Sequence, residues 1–356
     1  MSTPVIVFVE VPHFYAAIER TRHRELRGRP ILVGGDPRKR GQVQSASVEA
    51  AESGVTDGMS MLAALERCPR ARALRTDMRF YRDVSETLRG CLRGVHDALE
   101  PEGLNAAFLD VTPLAADPLE IGRQLRESVA QELDLELRVG IAPVRFVAQL
   151  AAREAPPSGL LRIRPGEEGG FLAPLPLERL PGVGPRAATA LQRAGARTVG
   201  EVRALGRQRL EALLGNRGLR ILDYAEGHDP RGVRAVRHPR SASQELTFDE
   251  PQADWTALAE ALQRLARGVE ESLGRHGLAA RRVGVKVRFS EGPGATRTQT
   301  APRAVASAPD LVELGLALLQ RTDAGTRPVR RLGLTVTQLS RETQEDPQLD
   351  LFAGGR

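Results

Sequence analysis

Val5-Ile6-Val7-Phe8-Val9-Glu10-Val11-Pro12-His13-Phe14-Tyr15-Ala16-Ala17-Ile18-Glu19 is the stretch whose reading decides the fold. The apolar, β-branched run from Val5 reads as a buried strand. It ends on a carboxylate, Glu10, and feeds Phe14-Tyr15-Ala16-Ala17-Ile18-Glu19, which reads as a helix. Working outward, further strand patterns fall near residues 4 to 10, 106 to 112 and 137 to 142, separated by helical stretches. That alternation predicts an α+β architecture.

Three other stretches carry information of the same kind. One is Glu100-Pro101-Glu102-Gly103-Leu104-Asn105-Ala106-Ala107-Phe108-Leu109-Asp110-Val111-Thr112. A second runs Gly41-Gln42-Val43-Gln44-Ser45-Ala46-Ser47-Val48-Glu49-Ala50-Ala51-Glu52-Ser53-Gly54-Val55. The third is Gly140-Ile141-Ala142-Pro143-Val144-Arg145-Phe146-Val147-Ala148-Gln149-Leu150-Ala151. Together with the opening stretch they resemble the catalytic core of the Y-family (translesion) DNA polymerases, of the DinB, UmuC and ImuB kind. The resemblance covers nearly the whole chain and implies a multi-domain, right-hand polymerase-like α+β fold. It would have a palm with a mixed sheet, small fingers, a helical thumb and an α/β little finger.

The same resemblance shows what is missing. Where the family keeps a metal-binding Asp at the end of its first strand, this chain has Glu10; the family's next Asp is Pro12. The Asp-Glu pair of the second stretch is replaced by Asn105 and Ala106. Two-metal phosphoryl transfer needs several carboxylate oxygens converging on hard cations. One carboxylate among these positions is not enough, so no catalytic residue is intact. The Tyr and Arg that touch the triphosphate in the family's finger segment correspond to Val48 and Ala51, and the register of the third stretch puts Pro156 where a triphosphate-binding Lys would stand. Each lost cation removes charge-assisted bonds worth about 1.5–3 kcal/mol. Tyr15 stands at the family's sugar-selecting aromatic; without a nucleotide it reads as core packing.

Composition agrees with a polyanionic partner. The chain has 356 residues, 41% hydrophobic and 27% charged, with a net charge of +6. The sequence pI is near 10.0, and Arg far outnumbers Lys. A phosphate backbone is the first candidate partner. Aromatic content of 4% argues against base stacking as the main binding mode. Cys68 and Cys91 give neither a disulfide framework nor a zinc spacing. No apolar run reaches the length of a membrane span, and no signal-peptide pattern precedes the first strand, so a cytoplasmic location without a membrane partner is expected.

The expected organisation places palm at 1–20 and 76–168, fingers at 21–75, thumb at 169–233, little finger at 241–340 and a disordered tail at 341–356, with Arg237-His238-Pro239-Arg240 as a basic linker. In the thumb, Leu180-Pro181-Gly182-Val183-Gly184-Pro185-Arg186 is a helix-hairpin-helix signature. Gly182 and Gly184 permit the tight turn, and the following helix N-terminus points backbone N–H groups at a DNA phosphate. Gly215-Asn216-Arg217-Gly218 reads as a poorer second copy. Farther on, Val283, Val285, Val287 and Phe289 alternate with Arg282, Lys286 and Arg288, which puts cations on one sheet face. The tail contains Gln348-Leu349-Asp350-Leu351-Phe352, similar to the bacterial sliding-clamp-binding peptide, with Gln348, Leu349, Leu351 and Phe352 as its contacts.

The expectation is therefore a catalytically degenerate Y-family protein in DNA repair. It binds primer-template DNA and the sliding clamp as a scaffold, with a separate polymerase as catalytic partner and no cofactor. The alternative is an active, low-fidelity translesion polymerase with atypical ligands, which would require Mg²⁺.

Overall fold

The computed structural model describes residues 3–156, 159–234 and 241–341. The chain divides into two compact units, Met1–Arg237 and His238–Arg356.

The first unit runs β1 (Ile6–Glu10), α1 (Phe14–Arg22), β2 (Ile31–Gly34), β3 (Val43–Ala46), α2 (Val48–Glu52), α3 (Met61–Arg67), β4 (Arg72–Arg75), α4 (Met78–Arg93), β5 (Leu99–Glu102), β6 (Ala106–Asp110), α5 (Pro118–Leu133), β7 (Arg138–Ala142), α6 (Arg145–Glu154) and β8 (Leu160–Arg162). Four helices follow, α7 (Glu168–Leu172), α8 (Pro185–Arg193), α9 (Val199–Leu214) and α10 (Asn216–Ala225). Its main sheet has the order β5-β6-β1-β7-β8, and a smaller one the order β3-β2-β4. The α+β expectation holds. β1 is central and antiparallel to both β6 and β7, and its residues are apolar on both faces because each face packs into a core. Val7 and Val9 pack into a core with Leu88, Leu125 and Val129 from α4 and α5. Ile6 and Phe8 face a second core with Phe108, Phe146 and Ala151, the Phe8 and Phe108 rings lying 4.6 Å apart.

The strand expected near 106 to 112 is β6. Glu100–Thr112 is not a single extended segment: β5 ends at Glu102, the chain turns at Gly103 with φ +70°, and only Ala106–Asp110 forms the strand beside β1. Gly103 takes the left-handed conformation at no steric cost. Gly140 has a different reason: a Cβ there would lie 2.0 Å from the Ala148 carbonyl oxygen, so α6 can cross β7 this closely only over a glycine. Beneath α6, Arg145 is buried, stacked 3.8 Å over Phe108 and paired with Glu100. Glu100 also accepts from the Arg234 amide at 2.8 Å. Buried charges of this kind persist when paired and hydrogen-bonded.

The second unit runs β9 (Ser241–Gln252), α11 (Trp255–Gly274), β10 (Leu278–Phe289), β11 (Ala295–Val305), α12 (Ala308–Leu319) and β12 (Val329–Arg341). Its sheet, β11-β10-β12-β9, is antiparallel throughout. Val283, Val285, Val287 and Phe289 are buried with Leu258, Leu262 and Leu265 of α11 and Leu311 and Leu318 of α12. Asp254 and Ser307 cap the two helices through side-chain oxygens on Ala257 N and Asp310 N.

Candidate nucleotide site and nucleic-acid interface

At the C-terminal end of β1, the strand register sets Glu10 between Ala106 of β6 and Arg138 of β7. The Glu10 side chain is 19% exposed and faces a guanidinium, with Oε2 3.6 Å from Arg153 Nε on α6. Asn105, in the turn before β6, donates from Nδ2 to the Val11 carbonyl at 3.1 Å, and its own carbonyl accepts from Val11 N at 2.8 Å. The amide thus ties the turn to the exit of β1. Ala106 beside it is 7% exposed. The fold does bring Glu10, Asn105 and Ala106 together, as the sequence expects; their chemistry differs from a metal site. The donors are one carboxylate already facing a guanidinium, an amide whose NH₂ is committed to main chain, and a methyl. Among the described residues no group of three or more His, Cys, Asp or Glu could hold a metal ion. These residues do not fit Mg²⁺, which wants several hard oxygens at close range.

Of the positions read as nucleotide contacts, Val48 and Ala51 lie one helical turn apart on α2. Val48 opens α2, is 42% exposed and lines a cavity of about 490 Å³ with Pro12, His13, Arg20 and Arg138. Ala51 is half-buried and Pro156 exposed, and neither lines that cavity. Glu49, next to Val48, is the acid that engages Arg20. Burial pushes its carboxyl up, but its own backbone amide, the Ser47 hydroxyl and Arg20 outweigh that and hold it below the usual range. Tyr15 is half-buried and stacks on Tyr81, ring centroids 4.5 Å apart and 15° from parallel. The Tyr81 hydroxyl donates to the buried Glu19 at 2.7 Å. Burial, then that carboxylate, pushes the Tyr81 phenol well above its ordinary value. Tyr15 is thus part of a packed aromatic pair. Asp110, the surviving acid of β6, accepts from the Thr112 amide and hydroxyl at 3.0 and 2.5 Å, a local turn lock.

In the helical part, Leu180-Pro181-Gly182-Val183 closes a turn with Val183 N donating to Leu180 O at 3.1 Å and Gly182 at φ +84°. Pro at the second and a positive-φ Gly at the third position is the type II pattern. Gly184 then serves as N-cap of α8, Pro185 opens the helix, and Arg186 is exposed in its first turn. Pro at this position surrenders an amide that would be unpaired anyway.

On the second unit's sheet, Arg282, Lys286 and Arg288 are exposed on the face opposite the helices. Arg331 of β12 stands directly across from Arg288. Glu245 of β9 lies 3.6 Å from Lys286 Nζ and 3.3 Å from Arg331 Nη1. Thr296, Thr298 and Thr335 fill positions between the cations. Gln348, Leu349, Leu351 and Phe352, like the linker 237–240, lie outside the described residues.

Sequence reading missed the partners of Glu10, Tyr15, Lys286 and Gly182, which are Arg153, Tyr81, Glu245 and Arg217. Each acts through a partner distant in sequence, for which a local pattern carries no signal.

Comparison with known proteins completes the picture. Residues 9–153 match the impB/mucB/samB family and residues 239–351 the impB/mucB/samB family C-terminal domain. The chain is 34% identical over 356 residues to "DNA polymerase IV" of Halorhodospira halophila, covering 99% of each. To "DNA polymerase IV" of Alkalilimnicola ehrlichii it is 35% identical over 356 residues, covering 99% of this chain and 100% of the other. Among solved structures, a Y-family DNA polymerase chimera of Dbh and Dpo4 superposes with a TM-score of 0.81 at 23% identity, over 95% of this chain and 99% of that one. DinB from Sulfolobus solfataricus gives 0.70 at 22% identity, over 94% and 98%. These structural likenesses show the fold.

Proposed function

The chain belongs to the impB/mucB/samB family, the Y-family DNA polymerases of translesion synthesis and repair, and we propose that it is a DNA-binding member without nucleotidyl transferase activity. The observation that carries this reading is the pairing of Glu10 with Arg153 beside Asn105 and Ala106. A guanidinium stands against the one remaining carboxylate, and its neighbours offer no anionic oxygen. Val48, Ala51 and Pro156 supply neither hydroxyl nor cation to a triphosphate. The family's Mg²⁺ is accordingly not a cofactor of this chain.

DNA would be held by two surfaces. The hairpin at Gly182 and Gly184 with Arg186 meets backbone phosphate, and the face bearing Arg282, Lys286 and Arg288 neutralises further phosphates. In family terms, residues 1–20 and 76–168 are palm, 21–75 fingers, 169–233 thumb and 241–340 little finger. The tail at 341–356 carries Gln348, Leu349, Leu351 and Phe352 to a sliding clamp, and a separate polymerase performs synthesis at the scaffolded site in the cytoplasm.

A second reading has its own support. Relatives 34 and 35% identical across 99% of this chain are named DNA polymerase IV, which favours an active translesion polymerase with Glu10 as an atypical ligand. Primer extension with Mg²⁺ or Mn²⁺ separates the two: the scaffold reading expects no template-dependent product above that of a Glu10→Ala control. Extension that Glu10→Ala abolishes establishes the active enzyme.

A further inference from the structure

Between the two glycine turns of the helical region lies a contact that the family resemblance does not supply. Arg217, in the first turn of α10, reaches back 35 residues and places both Nε and Nη2 on the Gly182 carbonyl oxygen, at 3.0 and 2.6 Å. The base of this arginine is fixed, because its neighbour Gly218 is wedged against α9, where a Cβ would lie 2.1 Å from the Leu210 carbonyl. The far side is fixed too: Ala187, Ala188 and Leu191 bury α8 in the core. Between these anchors the loop Pro181–Gly184 is exposed or half-buried and holds itself by one turn bond, Val183 N to Leu180 O. A planar fork on a single carbonyl fixes both the position and the tilt of the Gly182 peptide. The peptides that follow lead directly into the amide-bearing N-terminus of α8.

We propose that Arg217 is a positioning residue for DNA backbone binding, holding the Gly182 peptide so that the loop and the first turn of α8 present their amides to a phosphate in a preset geometry. This rests on the DNA-binding reading above and deepens it. Arg217 acts through a carbonyl, not through its charge on DNA, and the two roles differ in what they do to salt dependence. Each phosphate a side chain neutralises adds about 0.9 to the slope of log K against log salt.

The experiment measures primer-template affinity across a salt series for the parent, Arg217→Lys and Arg217→Ala, each first checked for unchanged thermal unfolding. Lys keeps the charge but loses the fork. The expected result is a similar loss in both variants, roughly fivefold, as a solvent-exposed hydrogen bond of about 1 kcal/mol does to an equilibrium, with slopes equal to the parent's. Parental affinity in Arg217→Lys together with a slope lowered by about 0.9 in Arg217→Ala overturns the proposal and makes Arg217 a direct phosphate contact. Unchanged affinity in both also overturns it. Amide hydrogen exchange of the free protein gives a readout independent of DNA: in Arg217→Ala the Val183 N–H should exchange faster while amides inside α8 do not. If the parent shows no salt-sensitive DNA affinity, the functional reading fails, and the exchange result alone decides whether Arg217 holds the loop.

Discussion

The rim of the five-stranded sheet at Glu10 and the outward face of the four-stranded sheet at Lys286 are both backbone frameworks that present charged side chains, and they have fared differently. At the rim, Glu10 faces Arg153 and the Asn105 amide is turned onto main chain. On the outward face, Arg282, Lys286 and Arg288 stay exposed, with Glu245 3.6 Å from Lys286. The difference follows from how each kind of site works. A metal clamp needs oxygens converging on each cation in near-ideal octahedral geometry, so it depends steeply on each protein carboxylate. A phosphate-binding face is a sum of similar, separable contacts, each of which can be lost for about one unit of salt slope.

That comparison assumes that the framework under the rim is intact, and the largest expected effect tests this. Gly140→Ala would push a methyl to 2.0 Å from the Ala148 carbonyl and 2.3 Å from Ala152 N. Because backbone on both sides must shift, urea unfolding followed by circular dichroism should report a loss of about 3 kcal/mol or more. A change within 0.5 kcal/mol would mean that α6 is not clamped on β7, and the Glu10–Arg153 pairing would lose its support.

On the outward face, Lys286→Ala with Arg288→Ala should lower the salt slope by about 1.8, two phosphates' worth. An unchanged slope would assign these cations to solvent. Glu245→Gln tests the same face in the opposite direction. Removing the acid that lies 3.6 and 3.3 Å from Lys286 and Arg331 should tighten DNA binding by several-fold at low salt.

A smaller effect belongs to Glu49. Its folded-state pKa lies below the ordinary 4.5, so it contributes stability that is present above about pH 4.5 and lost as pH falls through the folded value. Glu49→Gln should therefore cost a few tenths of a kcal/mol at neutral pH and nothing in strong acid. A cost that persists at pH 2 would trace to packing instead of charge. The smallest expected effect is none: Asn105→Asp with Ala106→Glu should not restore primer extension, since Arg153, Val48, Ala51 and Pro156 remain.

What the sequence conveyed and what it did not divide along physical lines. β1 was legible because a strand buried on both faces is apolar at every position from Ile6 to Val9. The cationic face was legible because a period of two sorts Val283, Val285 and Val287 from Arg282, Lys286 and Arg288. The positions Glu10, Asn105 and Ala106 could be named as neighbours from the resemblance, and the register joins Glu10 to Ala106. Arg153 could not be named, because an ion pair between a strand end and a helix end 143 residues later follows from the crossing of α6 over the sheet. The short strand before Gly103 was not read, because Leu99–Glu102 carries Pro101 and charges where an apolar run would signal a strand, and the positive φ of Gly103 is a turn property. Arg217 on Gly182 and Tyr15 on Tyr81 are likewise tertiary.

The account's central claim is that the metal–nucleotide site is dismantled while DNA binding persists, and ternary-complex formation tests it without depending on chemistry. The affinity of the parent chain for a primer-template is measured by fluorescence anisotropy, with a 3′-dideoxy-terminated primer, in Mg²⁺ with and without the cognate dNTP. The account predicts salt-sensitive binding with the same Kd in both conditions. A Kd lowered several-fold by the cognate dNTP, and not by a mismatched one, would contradict it, because only an assembled metal–nucleotide site can read the templating base through the incoming nucleotide.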